Sequence, residues 1–306
     1  MHAHAPAKID RILILGAGEL GLAVLRELAE RPAAHVCVML RQSSLDATSS
    51  SKRLTLEALK TLDVEVIAGD VVNDSEQQLA AIFSGFDTVV SCLGFVAGAG
   101  TQLKLARAAL QSDIKRFVPW QFGVDYDVIG RGSPQDLFDE QLDVRDLLRH
   151  QTRVQWLIIS TGMFTSFLFE PGFGVVDLQD NIVRALGSWD TSVTVTTPED
   201  IGRLTAAILF EPALVNQVVY VAGDTLTYGE LADTVGRVLD RAVERIEWTV
   251  PALKADLAAA PGDPIRKYRA VFAEGRGVAW DKATTYNGER HIETTTVAQW
   301  IGRHLR

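Results

Sequence analysis

The 306-residue chain predicts an α/β protein: a doubly wound parallel sheet followed by a smaller C-terminal α+β lobe. Three observations carry that expectation. Apolar, β-rich runs alternate with helical segments through the first half; a glycine-rich turn follows the first of those runs; and the alternation loosens beyond Thr161.

The strands read as "RILIL" (11–15), "HVCVML" (35–40), "VEVIA" (64–68), "DTVVSCL" (87–93), "KRFVP" (115–119) and "VQWLIIS" (154–160). Their near-continuous apolar character suits burial on both faces of a parallel sheet. Before the sixth run, "QDLFDEQLDVRDLLR" (135–149) wraps as a helix at about 100° per residue. Asp136, Asp139, Glu140, Asp143 and Asp146 share one side; Leu137, Phe138, Leu142, Val144 and Leu148 fill the other, with Gln141 near the middle of the apolar arc. An amide in that position needs a reason.

Beyond Thr161, "GMFTSFLFEPGFG" gathers Met163, Phe164, Phe167, Phe169 and Phe173 within 13 residues. It reads either as core filling between domains or as the apolar wall of a pocket. "TPEDIGRLTAAILF" starts a helix at Thr197 or Pro198 ahead of an acidic first turn, and the strand "NQVVYVA" follows. The expected division is therefore a sheet domain over 8–160, rejoined by 197–222, and a second lobe over 161–196 and 223–306, in which short helices accompany the strand "ERIEWTV".

At 47% hydrophobic and 23% charged residues the composition is that of an ordinary globular protein. The net charge of -9 and the absence of a Lys/Arg run argue against nucleic-acid and anionic-membrane partners. Cys37 and Cys92, the two cysteines, each sit in an apolar run that reads as a buried strand, so neither resembles half of a disulfide framework and a reducing cytoplasm is the expected setting. No signal core and no stretch of 18 apolar residues appears. His2 and His4 read as part of a solvated tail, without a metal role. His-Glu-x-x-His, Cys-x-x-Cys and Gly-x-Ser-x-Gly are all missing, and no metal is expected.

"LILGAGELG" places Gly16, Gly18 and Gly21 directly after the first strand, with Glu19 and Leu20 opening the first helix. That is the context in which a GxGxxG spacing reads as a Rossmann-type dinucleotide turn rather than a plain strand-to-helix corner. Gly16 permits the tight turn, Gly18 lets a pyrophosphate approach the backbone, Gly21 lets helix and strand pack closely, and the free N–H groups of the helix end attract phosphate. An NAD enzyme places an acid at the end of the second strand; here "VMLRQSS" offers Arg41, Ser43 and Ser44, with Lys52 and Arg53 a little later. Such a set suits the 2′-phosphate of NADP(H), and the other reading of Arg41 is a solvated side chain at a strand end. "AGD" delivers Asp70 toward the adenine side, or caps the next helix with it, and "SCLG" brings Cys92, Leu93 and Gly94 toward the nicotinamide side.

The strand "KRFVP" followed by "WQFGVDYD", the acidic-apolar helix and "LIISTGMF" together resemble the NmrA-like and isoflavone reductase-like group of atypical short-chain dehydrogenases, over about residues 10–220. The likeness is greatest to the phenylcoumaran benzylic ether reductase or aromatic alcohol reductase branch. It implies NADPH-dependent reduction of an aromatic substrate. Two departures stand out: "WQFG" (Trp120–Gly123) replaces the Ser-Glu-Phe-Gly of the plant reductases, and "GAGELG" lacks their extra Thr-Gly step. The resemblance also implies a catalytic lysine three residues after an aromatic on the acidic-apolar helix. Phe138 plus three is Gln141, an amide that donates and accepts hydrogen bonds but cannot titrate. Gln141 is thus expected to orient cofactor or substrate, or else to satisfy buried backbone.

Without that lysine, the proton donor expected for reduction is Tyr126 in "GVDYD", its pKa raised by Asp125 and Asp127; a packing role for its ring, or a bound water as the donor, is the competing reading. Trp120, Met163, Phe164 and Phe167 are the expected apolar wall of the substrate pocket. The second functional reading is a sensor that binds the nucleotide without turnover, as a monomer or homodimer like the first. Gln141 favours it.

Overall fold

The computed structural model describes residues 9–46 and 49–305; His2 and His4 lie outside them. Six strands of the first half follow the expected runs closely: β1 (Asp10–Leu15), β2 (Ala34–Leu40), β3 (Glu65–Ala68), β4 (Thr88–Ser91), β5 (Arg116–Val118) and β6 (Gln155–Ser160). With the strand Gln217–Tyr220 they form one seven-stranded sheet, in the order Gln217–Tyr220, β6, β5, β4, β1, β2, β3. Every pairing from β6 across to β3 is parallel. Leu13, Ile14, Leu15, Val38, Val89 and Val90 are fully buried, as strands covered on both faces require. Because β1 pairs with β2 on one side and β4 on the other, the winding direction reverses there, and a crevice opens beyond the carboxyl ends of β1 and β4.

Helix Glu19–Ala29 follows β1 and buries Leu20, Gly21, Ala23, Val24, Leu25 and Leu28. Helix Pro198–Leu209 approaches it closely at Gly202, where a Cβ would lie 2.6 Å from the backbone of Ala23. A side chain at that crossing would force the two helices apart.

The chain divides into two compact units of similar length. The first runs to Gln121 and adds Asp143–Ile158 and Ile201–Val218; the second is Phe122–Leu142, Ile159–Asp200 and Val219–Arg306. The sequence places 122–142 with the sheet domain, and the structure puts them in the second unit. Hydrogen bonds from distant residues are the reason. The Asp125 N–H donates to the Gly277 carbonyl at 2.8 Å, the Tyr220 hydroxyl donates to the Asp125 carboxylate at 2.7 Å, and the N–H groups of Thr161 and Gly162 converge on the Gly123 carbonyl at 3.0 and 2.9 Å.

The second unit holds two three-stranded sheets. One orders Asp224–Thr227, Ser192–Thr196 and Met163–Phe164; the other orders Glu244–Trp248, Ile182–Leu186 and Val176–Asp177. The aromatic segment forms the short strand Met163–Phe164 and a 3-10 turn over Thr165–Phe169. Leu168, Phe169 and Phe173 are core, whereas Phe164 and Phe167 are partly exposed, so the segment both fills the core and presents aromatic surface. Among the described residues no helix is long and apolar enough to cross a membrane, and no group of three or more His, Cys, Asp or Glu is arranged to hold a metal.

Candidate functional site

The first unit carries a cleft of about 340 Å³ beyond the carboxyl ends of β1, β2 and β4. Gly16 turns the chain at φ +90°, in the left-handed region that favours glycine, and its N–H donates to the Met39 carbonyl at 3.2 Å. Gly18 then caps the first helix without any side-chain hydrogen bond, at a helix end whose N–H groups have no intrahelical acceptor and whose dipole favours an anion. Gly21 packs against the loop itself, since a Cβ there would come within 2.2 Å of the Gly16 carbonyl oxygen.

Gly18 is the informative residue. Its φ of -73° and ψ of -168° are open to any residue, and a Cβ on it would meet no atom within 4 Å. Nothing in the protein itself requires glycine there, whereas a ligand lying on the loop would. Arg41, Lys52 and Ser44 line the same cleft, and no carboxylate lines it among the described residues. A glycine cradle at a helix N-terminus beside two cations and a hydroxyl fits a phosphorylated dinucleotide.

Of the nucleotide residues expected from the sequence, Gly16, Gly18, Arg41, Lys52, Cys92, Leu93 and Gly94 line this cleft together. Of the two hydroxyls expected beside Arg41, Ser44 lines the cleft and Ser43 does not: both lie on the single-turn helix Gln42–Leu45, and Ser43 is exposed off the cleft. Leu20 and Gly21 stand behind the cradle as core, and Glu19 is exposed in the first helical turn. Asp70 does not line the cleft. Its carboxylate accepts from the N–H groups of Val72 (2.9 Å) and Asn73 (3.2 Å) and from the Asn73 amide (2.8 Å), which makes it the cap of the turn after β3. Its desolvation raises the carboxyl pKa, but these hydrogen bonds and the Arg41 charge outweigh it and hold the group below the usual carboxylate range.

Sequence reading missed Thr55, Leu56, Val71 and Val72, which also line the cleft. Val72 is 50% exposed, an apolar side chain left open at the rim. Its signal was the pair of valines in the turn two residues beyond the strand end, where a turn is ordinarily polar.

At the Leu93–Gly94 end, Trp120 packs across Gly94, a ring carbon lying 3.3 Å from where a Cβ would stand, and meets Phe95 edge-on at 4.7 Å. Next to it, the buried Gln121 accepts a 2.7 Å hydrogen bond from the Arg145 Nε. Arg145 is fully buried one helical turn beyond Gln141, so the arc expected to be apolar carries both an amide and a guanidinium.

The remaining candidates belong to the second unit. Gln141 is completely buried. Tyr126 opens the short helix Tyr126–Ile129, is 1% exposed, and meets Phe138 edge-on with ring centroids 5.0 Å apart. Its hydroxyl lies 2.7 Å from where a Cβ on Gly123 would stand, so the ring occupies the space that this glycine leaves. Met163 is buried, and Phe167 stacks on Phe173 at 4.5 Å. Tyr268, not anticipated from the sequence, packs edge-on against both Phe138 (6.1 Å) and Phe167 (5.9 Å). Desolvation pushes its phenol up to about 12.

Comparison with known proteins agrees with this architecture. The NmrA-like family matches residues 8–287. The NmrA-like family domain-containing oxidoreductase of Gibberella moniliformis (strain M3125 / FGSC 7600) is 48% identical over 297 residues, covering 95% of this chain and 97% of its own. Among solved structures, an isoflavone reductase superposes with a TM-score of 0.81 at 19% identity, covering 97% of this chain and 99% of its own. AtPrR2 with NADP+ and (+)pinoresinol superposes with a TM-score of 0.70 at 21% identity, covering 87% and 86%. A match over nearly the whole length, joined to 48% identity with a named member, makes this chain a member of the NmrA-like family.

Proposed function

We propose that the protein is an NADPH-dependent reductase of a small aromatic substrate, a benzylic alcohol, ether or carbonyl compound. The observation that carries the reading is the glycine cradle beside Arg41, Ser44 and Lys52 in a cleft with no carboxylate among the described residues that line it. The named oxidoreductase relative and the NADP+ complex of the structural neighbour support it. When bound, the cofactor supplies the hydride that reduces an electrophilic carbon of the substrate.

The chain's own residues divide the remaining work. The loop N–H groups after Gly16 hold the pyrophosphate, and Arg41 with Lys52 and Ser44 grips the 2′-phosphate, selecting NADPH over NADH. Trp120 closes the Leu93–Gly94 end with an apolar face. Gln141 orients its ligand by hydrogen bonds and moves no proton, because an amide does not titrate. The oxygen left by reduction takes its proton from Tyr126 or from a water. Met163, Phe164 and Phe167 offer apolar surface to a substrate within the second unit, which serves as the substrate-binding lobe.

A second reading, a sensor that binds the nucleotide without turnover, is favoured by Gln141 at the position where the family resemblance implies lysine. Loss of NADPH absorbance, followed against an NADH control across a panel of benzylic alcohols, ethers, aldehydes and ketones, separates the two. Turnover with NADPH establishes the reductase; tight NADPH binding with no consumption on any compound establishes the sensor.

A further inference from the structure

We propose that the Tyr268 hydroxyl is the hydrogen-bond donor that selects oxygen-bearing aromatic ligands in the second unit. The proposal rests on the reading above for its reductive context, though the binding it describes stands without turnover.

Tyr268 sits on helix Pro264–Ala273, and its neighbours in sequence fix that helix on both sides. Lys267 Nζ holds the Asp136 carboxylate at 2.7 and 2.8 Å, just ahead of the helix that carries Phe138. Arg269 donates to the carbonyls of Phe173 and Gly172 at 2.9 Å each, beyond the 3-10 turn that carries Phe167. Between those two anchors the Tyr268 ring is braced edge-on by Phe138 on one side and Phe167 on the other, at interplanar angles of 68° and 70°. Phe138 is in turn backed by Tyr126, and Phe167 by Phe173. The result is an aromatic cluster from three separate segments in which Phe138 is core and the rings of Phe167 and Tyr268 are part-exposed.

That cluster carries a single hydroxyl without a partner. No described residue hydrogen-bonds to the Tyr268 phenol, and the oxygen is not among the polar atoms sealed from solvent. Tyr126, by contrast, has an interaction of its own. The Tyr268 hydroxyl therefore reaches solvent and has no acceptor within the described protein, so a ligand oxygen can take the place of water on it. Its raised pKa keeps the group protonated at neutral pH, so it donates and does not accept a proton. The part-exposed rings of Phe167 and Tyr268 with one fixed donor recognise an aromatic ring bearing a carbonyl, ether or phenolic oxygen, and discriminate against the hydrocarbon of the same shape.

The test is equilibrium binding of a matched pair, acetophenone and ethylbenzene, to the full-length protein with NADP+ present, so that no turnover intervenes. Wild type and Tyr268→Phe are compared by calorimetry or tryptophan fluorescence, with thermal melting to confirm that the variant is folded. Tyr268→Phe is expected to weaken acetophenone about tenfold and leave ethylbenzene unchanged. Equal loss for both ligands, no loss for either, or failure of wild type to bind either one overturns the proposal. The NADPH-consumption assay is read separately: selective loss of acetophenone affinity without any NADPH oxidation removes the reductase reading and leaves the Tyr268 assignment intact, whereas NADPH turnover with unchanged ligand affinities in Tyr268→Phe does the reverse.

Discussion

A Cβ on Gly21 would lie 2.2 Å from the Gly16 carbonyl oxygen, whereas one on Gly18 would meet no atom within 4 Å. The same substitution should therefore do different things three residues apart. Gly21→Ala must displace the loop or the helix, at about 1–3 kcal/mol of stability, visible as a lower melting temperature with or without nucleotide. Gly18→Ala should melt as wild type does and lose nucleotide affinity, because its methyl group enters the volume the phosphates need. Equal melting temperatures for both variants would show that the loop relaxes freely and that Gly21 has no packing role. Arg41→Ala should weaken NADPH by about tenfold or more while changing NADH little, since the lost charge-assisted bond goes only to the 2′-phosphate; equal weakening of both removes the NADP assignment. These residues were legible because a turn followed by a helix restricts the chemistry to a few positions. Which of Ser43 and Ser44 faces the cleft was not, since one step along a helix rotates a side chain by about 100°.

At the scale of elements, hydrophobic periodicity revealed helix Leu137–Arg149 and the burial of Gln141 on its apolar arc. Arg145, four residues on, escaped it. Hydropathy assigns an arginine to solvent, and the group that draws this one inward, Gln121, is 24 residues away in sequence. Arg145→Met keeps much of the buried volume and leaves the Gln121 carbonyl oxygen without this donor, so a loss of about 2 kcal/mol is expected in urea denaturation. Gln121→Leu in the same background should recover part of it, as that acceptor is removed. A single variant as stable as wild type would mean that the guanidinium contributes no net stability at this position. The assignment of 122–142 to the second unit was hidden for the same physical reason. The bonds that hold it reach Gly277 and Tyr220, and no local pattern encodes a partner that distant.

For the molecule as a whole, the response to pH follows from groups whose pKa differs between the folded and unfolded states. On the acid side, Asp177 and Asp263 are held low chiefly by backbone N–H donors, those of Asp180 and Arg266 respectively, and Asp70 is also held low. A depressed folded pKa adds stability above the unfolded value near 3.8, and that stability is lost as pH falls through the folded value; these turn carboxylates are part-exposed and screened by solvent, so the acid effect is small. The alkaline side is steeper. Burial pushes the thiols of Cys37 and Cys92 from an ordinary value of 9.0 up to about 12, and Tyr268 moves up from 10.0 to about 12. A raised folded pKa means that the folded chain keeps protons the unfolded chain has released, so stability is intact below the unfolded pKa and falls as pH rises toward the folded one. Between pH 9 and 12 each thiol removes about 1.4 kcal/mol per pH unit. The urea midpoint should be nearly flat from pH 6 to 8.5 and then drop steeply. Replacing both Cys37 and Cys92 with Ala lowers stability at neutral pH through lost packing, yet it should flatten the alkaline limb and leave the acid limb untouched. That combination is opposite to what a uniformly weakened core would show, because a packing loss shifts the whole curve and leaves its slope unchanged. An alkaline slope identical to that of wild type would place the titrating groups elsewhere, with the tyrosines next to be tested.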